Sequence, residues 1–144
     1  MRYGPRQRLW GAYLEPFGFR ICRTDQFSDC ADRPELLITE CTNIICKKTR
    51  KGEISPAEAD VACGILVMSG IDLRSMRSLM RTALRLATAL DHPVYDCAYI
   101  ALAFQEQSVI VTADRVLVRK VLQAQGLDLP NIVHLDTADA LRTN

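Results

Sequence analysis

Two acidic residues stand where a carboxylate needs a reason. From Val94 to Phe104 every residue except Asp96 is apolar. A helix that is apolar all round lies inside a protein, and this one is too short to cross a bilayer. An unpaired charge buried there is costly, so Asp96 calls for a counter-ion, and a divalent metal is the usual one for grouped carboxylates. A short apolar run, Ser108-Val109-Ile110-Val111-Thr112-Ala113, then ends on a second acid, Asp114. A third, Glu40, shares a helix face with Leu36, Leu37, Asn43 and Ile44, so it points inward or into the rim of a cleft.

The chemistry open to such a set follows from where its members sit. Ligands of open α/β sheets lie beyond the carboxyl ends of the strands, and Asp114 lies just past one. Asp96 opens its helix, where the positive end of the dipole favours a carboxylate. Glu40, Asp96 and Asp114 converging would concentrate negative charge that cannot persist without cations. Mg²⁺ or Mn²⁺ suits oxygen ligands, and such an ion can activate a water and stabilise charge developing on an attacked phosphodiester. Each acid also has a plainer reading. Asp96 can be a favourable first-turn charge, Asp114 a cap for the helix that follows, and Glu40 the exposed side of an amphipathic helix. Thr112 and Asn43 are candidates to orient the acids from behind, or are simply structural.

The elements that must position these residues are legible from Pro34 onward. Pro34 is expected to open a helix with a stripe of Leu36, Leu37, Cys41, Ile44 and Ile45. Lys47, Lys48, Arg50 and Lys51 gather at its end and Gly52 stops it. That basic group could hold nucleic-acid phosphates, but reads rather as a solvated helix end. Ser55-Pro56-Ala57-Glu58 is a capping box, with a helix running to about Met68 through Ala59, Ala62, Ile65 and Leu66, broken at Gly70. A short strand over Ile71–Leu73 and an amphipathic helix over Leu79–Leu90 follow. The acid-bearing helix spans Val94–Gln105 and the strand Val109–Thr112, whose continuous apolar character suits a parallel sheet covered on both faces. A helix over Arg115–Gln125 has Val118, Val121 and Leu122 inward and stops at Gly126. A last strand, Ile132–Leu135, precedes a short helical tail from Asp136. Helices alternating with short strands predict a three-layer α/β domain. Tyr95 and Tyr99 read as core, and His92 and His134 as outside the chemistry.

At 144 residues the chain is long enough for one domain with a sizeable core. A net charge of +1 provides no global field for nucleic acid. No apolar leader or membrane-length run is visible, which places the expected location in the cytosol. The six cysteines include no C-x-x-C pair and read as small core residues in a reducing compartment, not as disulfides or a zinc site.

Residues 92–115 resemble the C-terminal signature of PIN-domain ribonucleases, in particular the VapC toxins of toxin–antitoxin pairs. In that family a PxYDxxYxALA helix precedes an apolar strand ending in TAD, and Pro93, Tyr95, Asp96, Tyr99, Ala101, Leu102, Ala103, Thr112, Ala113 and Asp114 all match. Thr39, Glu40 and Asn43 match a TExxN element, which is the main ground for placing Glu40 among metal ligands. The resemblance covers Pro34 to Leu135. It implies a three-layer α/β/α fold with a short parallel sheet and Mg²⁺ or Mn²⁺ on Glu40, Asp96 and Asp114. It also implies a homodimer, an RNA substrate such as tRNA or rRNA, and a cognate antitoxin whose tail fills the acidic cleft.

Residues 1–33 depart from that pattern. The family carries an N-terminal apolar strand ending in an acid, and no Asp or Glu stands near residue 5. Phe17–Cys22 could be a strand, but Asp25 follows it too close to Glu40 for the intervening helices. Reverse-translating Gly4–Arg8 and reading one base later permits Val-Leu-Asp-Ser-Val, which suggests a local frameshift as a hypothesis; an intact single frame on sequencing the locus would sink it. The departure sets a second expectation beside the first: a catalytically degenerate binding module that sequesters antitoxin without cutting RNA. A third class, a DNA-directed nuclease on the same fold, follows because the acids do not read sugars.

Overall fold

Residues 19–22 and 33–137 are described by the structure, a computed structural model. The described chain is mixed α/β and mostly helical. In order it comprises β1 (Phe19–Cys22), β2 (Arg33–Pro34), α1 (Leu36–Arg50), α2 (Pro56–Val67) and β3 (Leu73–Arg74). There follow α3 (Met76–Leu90), α4 (Val94–Gln105), β4 (Val109–Thr112), α5 (Arg115–Gln123) and β5 (Ile132–His134). Two sheets form: a three-stranded one in the order β1-β4-β5, and the short pair β2-β3.

The core is built on α4. Residues Cys97 to Ala103 are buried without a break, as a helix apolar on every side requires. Against it α3 lays the row Leu79, Ala83, Leu86 and Leu90, spaced to fall on one helix face. From the other direction come Ile110 of β4, Leu117 and Val121 of α5 and Ile132 of β5. β4 alternates its faces: Ile110 enters this main core, while Val111 packs with Val109, Val133 and Leu135. The strand is therefore covered on both sides, as its continuous apolar run predicts. A smaller cluster holds α1 to α2 through Leu37, Cys41 and Leu66.

β4 and β5 are parallel, with Ile110 opposite Ile132, Val111 opposite Val133 and Thr112 opposite His134. β2 and β3 are also parallel. β1 runs antiparallel to β4, pairing Phe19 with Thr112 and Cys22 with Val109. The larger sheet is thus mixed, whereas a parallel one was expected. Periodicity alone does not set strand direction, because an apolar run pairs equally well either way.

Several boundaries agree with expectation, and the departures have local causes. α4 and β4 have the expected limits. The capping box at Ser55 is formed, with its hydroxyl accepting from the Glu58 N–H at 3.2 Å and Glu58 Oε2 accepting from the Ser55 N–H at 2.8 Å. Pro34, by contrast, lies in β2 and not in a helix. Glu35 is tied to the neighbouring segment, its N–H donating to the Arg74 carbonyl (2.9 Å) and its Oε2 accepting from the Met76 N–H (3.0 Å), so α1 begins after it. Ile65 is exposed, because Leu66 takes the inward position of α2. Val61, Ile65 and Met68 form an outward row on that helix. In α5 Leu117 and Val121, one turn apart, are buried and Val118 packs partly buried against the same core, which leaves Leu122 72% exposed. It borders a surface groove with Leu127 and Leu129.

Cys41 and Cys97 are buried free thiols whose pKa values burial pushes up to about 11, so both are inert packing groups. Cys46 is exposed and Cys63 half-buried; both are free. Cys30 and the tail beyond Thr137 lie outside the described residues, as do the proposed frameshift region and Asp25. Among the described residues no helix is long and apolar enough to cross a membrane.

Candidate metal centre

The site begins with a turn. α3 ends at Leu90, and Asp91 caps it in a left-handed conformation (φ 48°). The His92 N–H then donates to the Ala87 carbonyl at 3.1 Å, and Pro93 caps α4. Lys120 of α5 donates to the Asp91 carbonyl, fixing the turn from the far side. His92 is consequently held by backbone geometry, and its side chain is only 7% exposed.

Asp96 lies in the first turn of α4. Its Oδ2 is 2.8 Å from His92 Nε2. Two opposing influences act on it: burial raises its pKa, and the His92 hydrogen bond lowers it, with the charge of Asp114 adding to the rise. The net direction is upward, so the ionised form is held at some cost.

Asp114 arrives from β4. The buried Thr112 hydroxyl accepts from the Asp114 N–H at 3.0 Å and sets the backbone there. Asp114 then divides its carboxylate between two tasks. Oδ1 caps α5, accepting from the N–H groups of Val116 (2.8 Å) and Leu117 (3.0 Å). Oδ2 faces His92 Nε2 at 3.7 Å. The cap reading and the ligand reading of this residue are therefore compatible, one for each oxygen.

Glu40 reaches the same neighbourhood from α1. The Tyr99 hydroxyl donates to Glu40 Oε2 at 2.5 Å. Asp96 and Tyr99 are three residues apart and share a face of α4, so one helix face serves two acids. Burial raises the Glu40 pKa, the Tyr99 hydrogen bond lowers it, and the charge of Asp96 raises it further. Electrostatically the acids form a series in which Glu40 feels Asp96 and Asp96 feels Asp114. Asn43 is exposed on α1, one turn beyond Glu40.

One oxygen of Asp96, one of Asp114 and one imidazole nitrogen of His92 all lie within 4.8 Å of one another, and this group could hold a metal ion. A single ion at about 2.1 Å from each ligand spans about 4 Å, so shifts of a few tenths of an ångström suffice. Glu40 stands beside this trio, on the Tyr99 side, and is not part of it.

Sequence reasoning set His92 aside, yet it is the residue the two aspartates share. The spacing of His92 and Asp96, one helical turn, was the signal available. It was weak because Pro93 separates His92 from the helix proper. Tyr99 is core as expected, at 1% exposure, but its hydroxyl also holds Glu40. Tyr95 was expected in the core and is 62% exposed; at the second position of α4 it projects past the packed layer. His134 is a strand residue: Nε2 donates to the Ala113 carbonyl at 3.2 Å and Nδ1 accepts from the Asp136 N–H at 3.2 Å. It thus braces the residue before Asp114. Among the basic residues at the end of α1, Lys48 and Lys51 both meet Glu53, at 2.8 Å and 4.0 Å, consistent with a solvated helix end.

No protein-family model matches the chain, and no curated protein matches it.

Proposed function

We propose that this chain is a metal-dependent endoribonuclease of the PIN-domain, VapC-toxin kind. The observation that carries the reading is the meeting of Asp96 and Asp114. Asp96 comes from the first turn of a buried helix and Asp114 from the end of the central strand, with their oxygens grouped around one point. Two partly buried carboxylates, one with its pKa pushed up, make an arrangement that a divalent cation relieves. Mg²⁺ or Mn²⁺ fits the oxygen donors.

In this reading Asp96 and Asp114 Oδ2 hold the ion, while Oδ1 of Asp114 stays on the α5 cap. Thr112 orients Asp114 through its backbone, and Tyr99 holds the Glu40 carboxylate beside the pair. An ion held by these residues would supply a water of lowered pKa and offset charge developing on the phosphodiester. The three-layer α/β/α arrangement, a homodimer, a tRNA or rRNA substrate, a cognate antitoxin and a cytoplasmic setting are proposed with it, on the resemblance of residues 34–135.

A degenerate, antitoxin-binding module is the second reading, favoured by the lack of any Asp or Glu near residue 5. The two are separated by incubating the chain with total RNA and Mg²⁺ or Mn²⁺, beside Asp96→Asn and EDTA controls. Cleavage lost in both controls supports the nuclease. An inactive parent chain favours the binding module. Cleavage that survives Asp96→Asn removes the proposed site from consideration.

A further inference from the structure

The trio at the site is not purely acidic, and its third member has a donor chemistry of its own. The His92 imidazole is buried, with Nε2 directed between two carboxylates: Asp96 Oδ2 at 2.8 Å and Asp114 Oδ2 at 3.7 Å. Its place is set by the left-handed turn at Asp91, the bond from its N–H to Ala87 and the proline that follows. A histidine meant only to bond Asp96 has no need to face Asp114 as well.

We propose that His92 is a metal ligand through Nε2, making a mixed nitrogen–oxygen site that takes Mn²⁺ in preference to Mg²⁺. The inference rests on the reading that Asp96 and Asp114 hold an ion. Mg²⁺ is bound through oxygen and gives up its waters reluctantly; Mn²⁺ also favours oxygen and stands lowest of the first-row ions toward nitrogen donors, but it accepts an imidazole more readily than Mg²⁺ does. A His92 ligand would carry its proton on Nδ1 and offer the Nε2 lone pair, and Asp96 Oδ2, 2.8 Å from Nε2, would face the ion in place of the imidazole.

The chain contains two histidines, His92 and His134, which makes the test direct. Electron spin-echo modulation of the Mn²⁺-loaded full chain reports nitrogen bound directly to the ion. Nitrogen coupling is expected in the parent chain and in His134→Gln, and is expected to vanish in His92→Gln. Titration of free Mn²⁺ should show the affinity of His92→Gln lowered about tenfold or more, with Mg²⁺ affinity changed far less. If His92→Gln does not fold, the parent chain and His134→Gln still decide the matter. Bound Mn²⁺ without nitrogen coupling in His134→Gln would overturn the role of His92 and leave the two-aspartate site standing. Binding of neither Mn²⁺ nor Mg²⁺ would overturn the metal reading itself, and this inference with it.

Discussion

Tyr99 donates its hydroxyl to Glu40 across 59 positions of sequence, at 2.5 Å, and so joins the buried helix α4 to the acid on α1. Burial raises the Glu40 pKa and this bond opposes the rise. Tyr99→Phe removes the opposing influence, so the Glu40 pKa moves higher and the carboxylate is lost to protonation at a higher pH. If Glu40 must be ionised for cleavage, the acid-side midpoint of the pH–rate profile shifts upward in Tyr99→Phe. An unmoved midpoint would show that Glu40 does not govern that limb.

Asp96 and Glu40 both have pKa values raised in the folded chain. A raised pKa means that the folded state binds the proton more readily than the unfolded one. The stabilising contribution is therefore full below the unfolded pKa and is lost as pH rises through the folded pKa. At neutral pH the ionised acids weigh against folding. In EDTA, Asp96→Asn is expected to melt above the parent chain. A lower melting point would mean that the His92 hydrogen bond outweighs the cost of burial.

Adding Mn²⁺ to the parent chain should raise its melting temperature, since an ion that binds only the folded state stabilises it by mass action, about 2.7 kcal/mol at a hundredfold excess over Kd. Asp96→Asn should lose most of that gain. Differential scanning calorimetry with and without EDTA reads both effects, and an equal gain in the two proteins would place the ion elsewhere.

Asp114 offers a way to separate its cap from its ligand role. Asparagine caps a helix about as well as aspartate, so Asp114→Asn should keep stability within about 0.5 kcal/mol yet lose most Mn²⁺ affinity. Asp114→Ala should lose both, with a further cost of about 1 kcal/mol. Urea denaturation and Mn²⁺ titration of the two variants side by side distinguish the oxygens; equal stability in both would mean that the α5 cap contributes nothing measurable.

Ser55→Ala serves as a control away from the site. It breaks the capping box of α2 and should destabilise the chain by about 1 kcal/mol. Metal affinity should not change, because the hydrogen bonds of the capping box run between Ser55 and Glu58 themselves. A Ser55→Ala variant with altered Mn²⁺ binding would show that α2 is coupled to the site.

Much of this architecture was legible in local sequence, and the reasons differ by element. The limits of α4 and β4 could be read because each is an apolar run bounded by proline or by polar turn residues. The α2 start could be read because Ser55 and Glu58 satisfy each other's backbone within one turn. The start of α1 could not. Glu35 is held by Arg74 and Met76, partners some forty positions away. The direction of β1 was equally hidden, since a strand's pairing sense depends on the partner it meets.

For the candidate site, sequence alone determined which carboxylates lie at helix and strand ends: Asp96 in the first turn of an apolar helix and Asp114 at the close of an apolar strand. Those are local facts, dictated by periodicity and capping. Only the tertiary structure decided what stands between them. His92 acquires its place from a left-handed residue, a backbone bond to the preceding helix and a lysine from α5, and Tyr99 meets Glu40 only because the fold brings two residues 59 positions apart within hydrogen-bond distance. Burial then does to these groups what no sequence window shows, because the cost of a charge depends on everything packed around it.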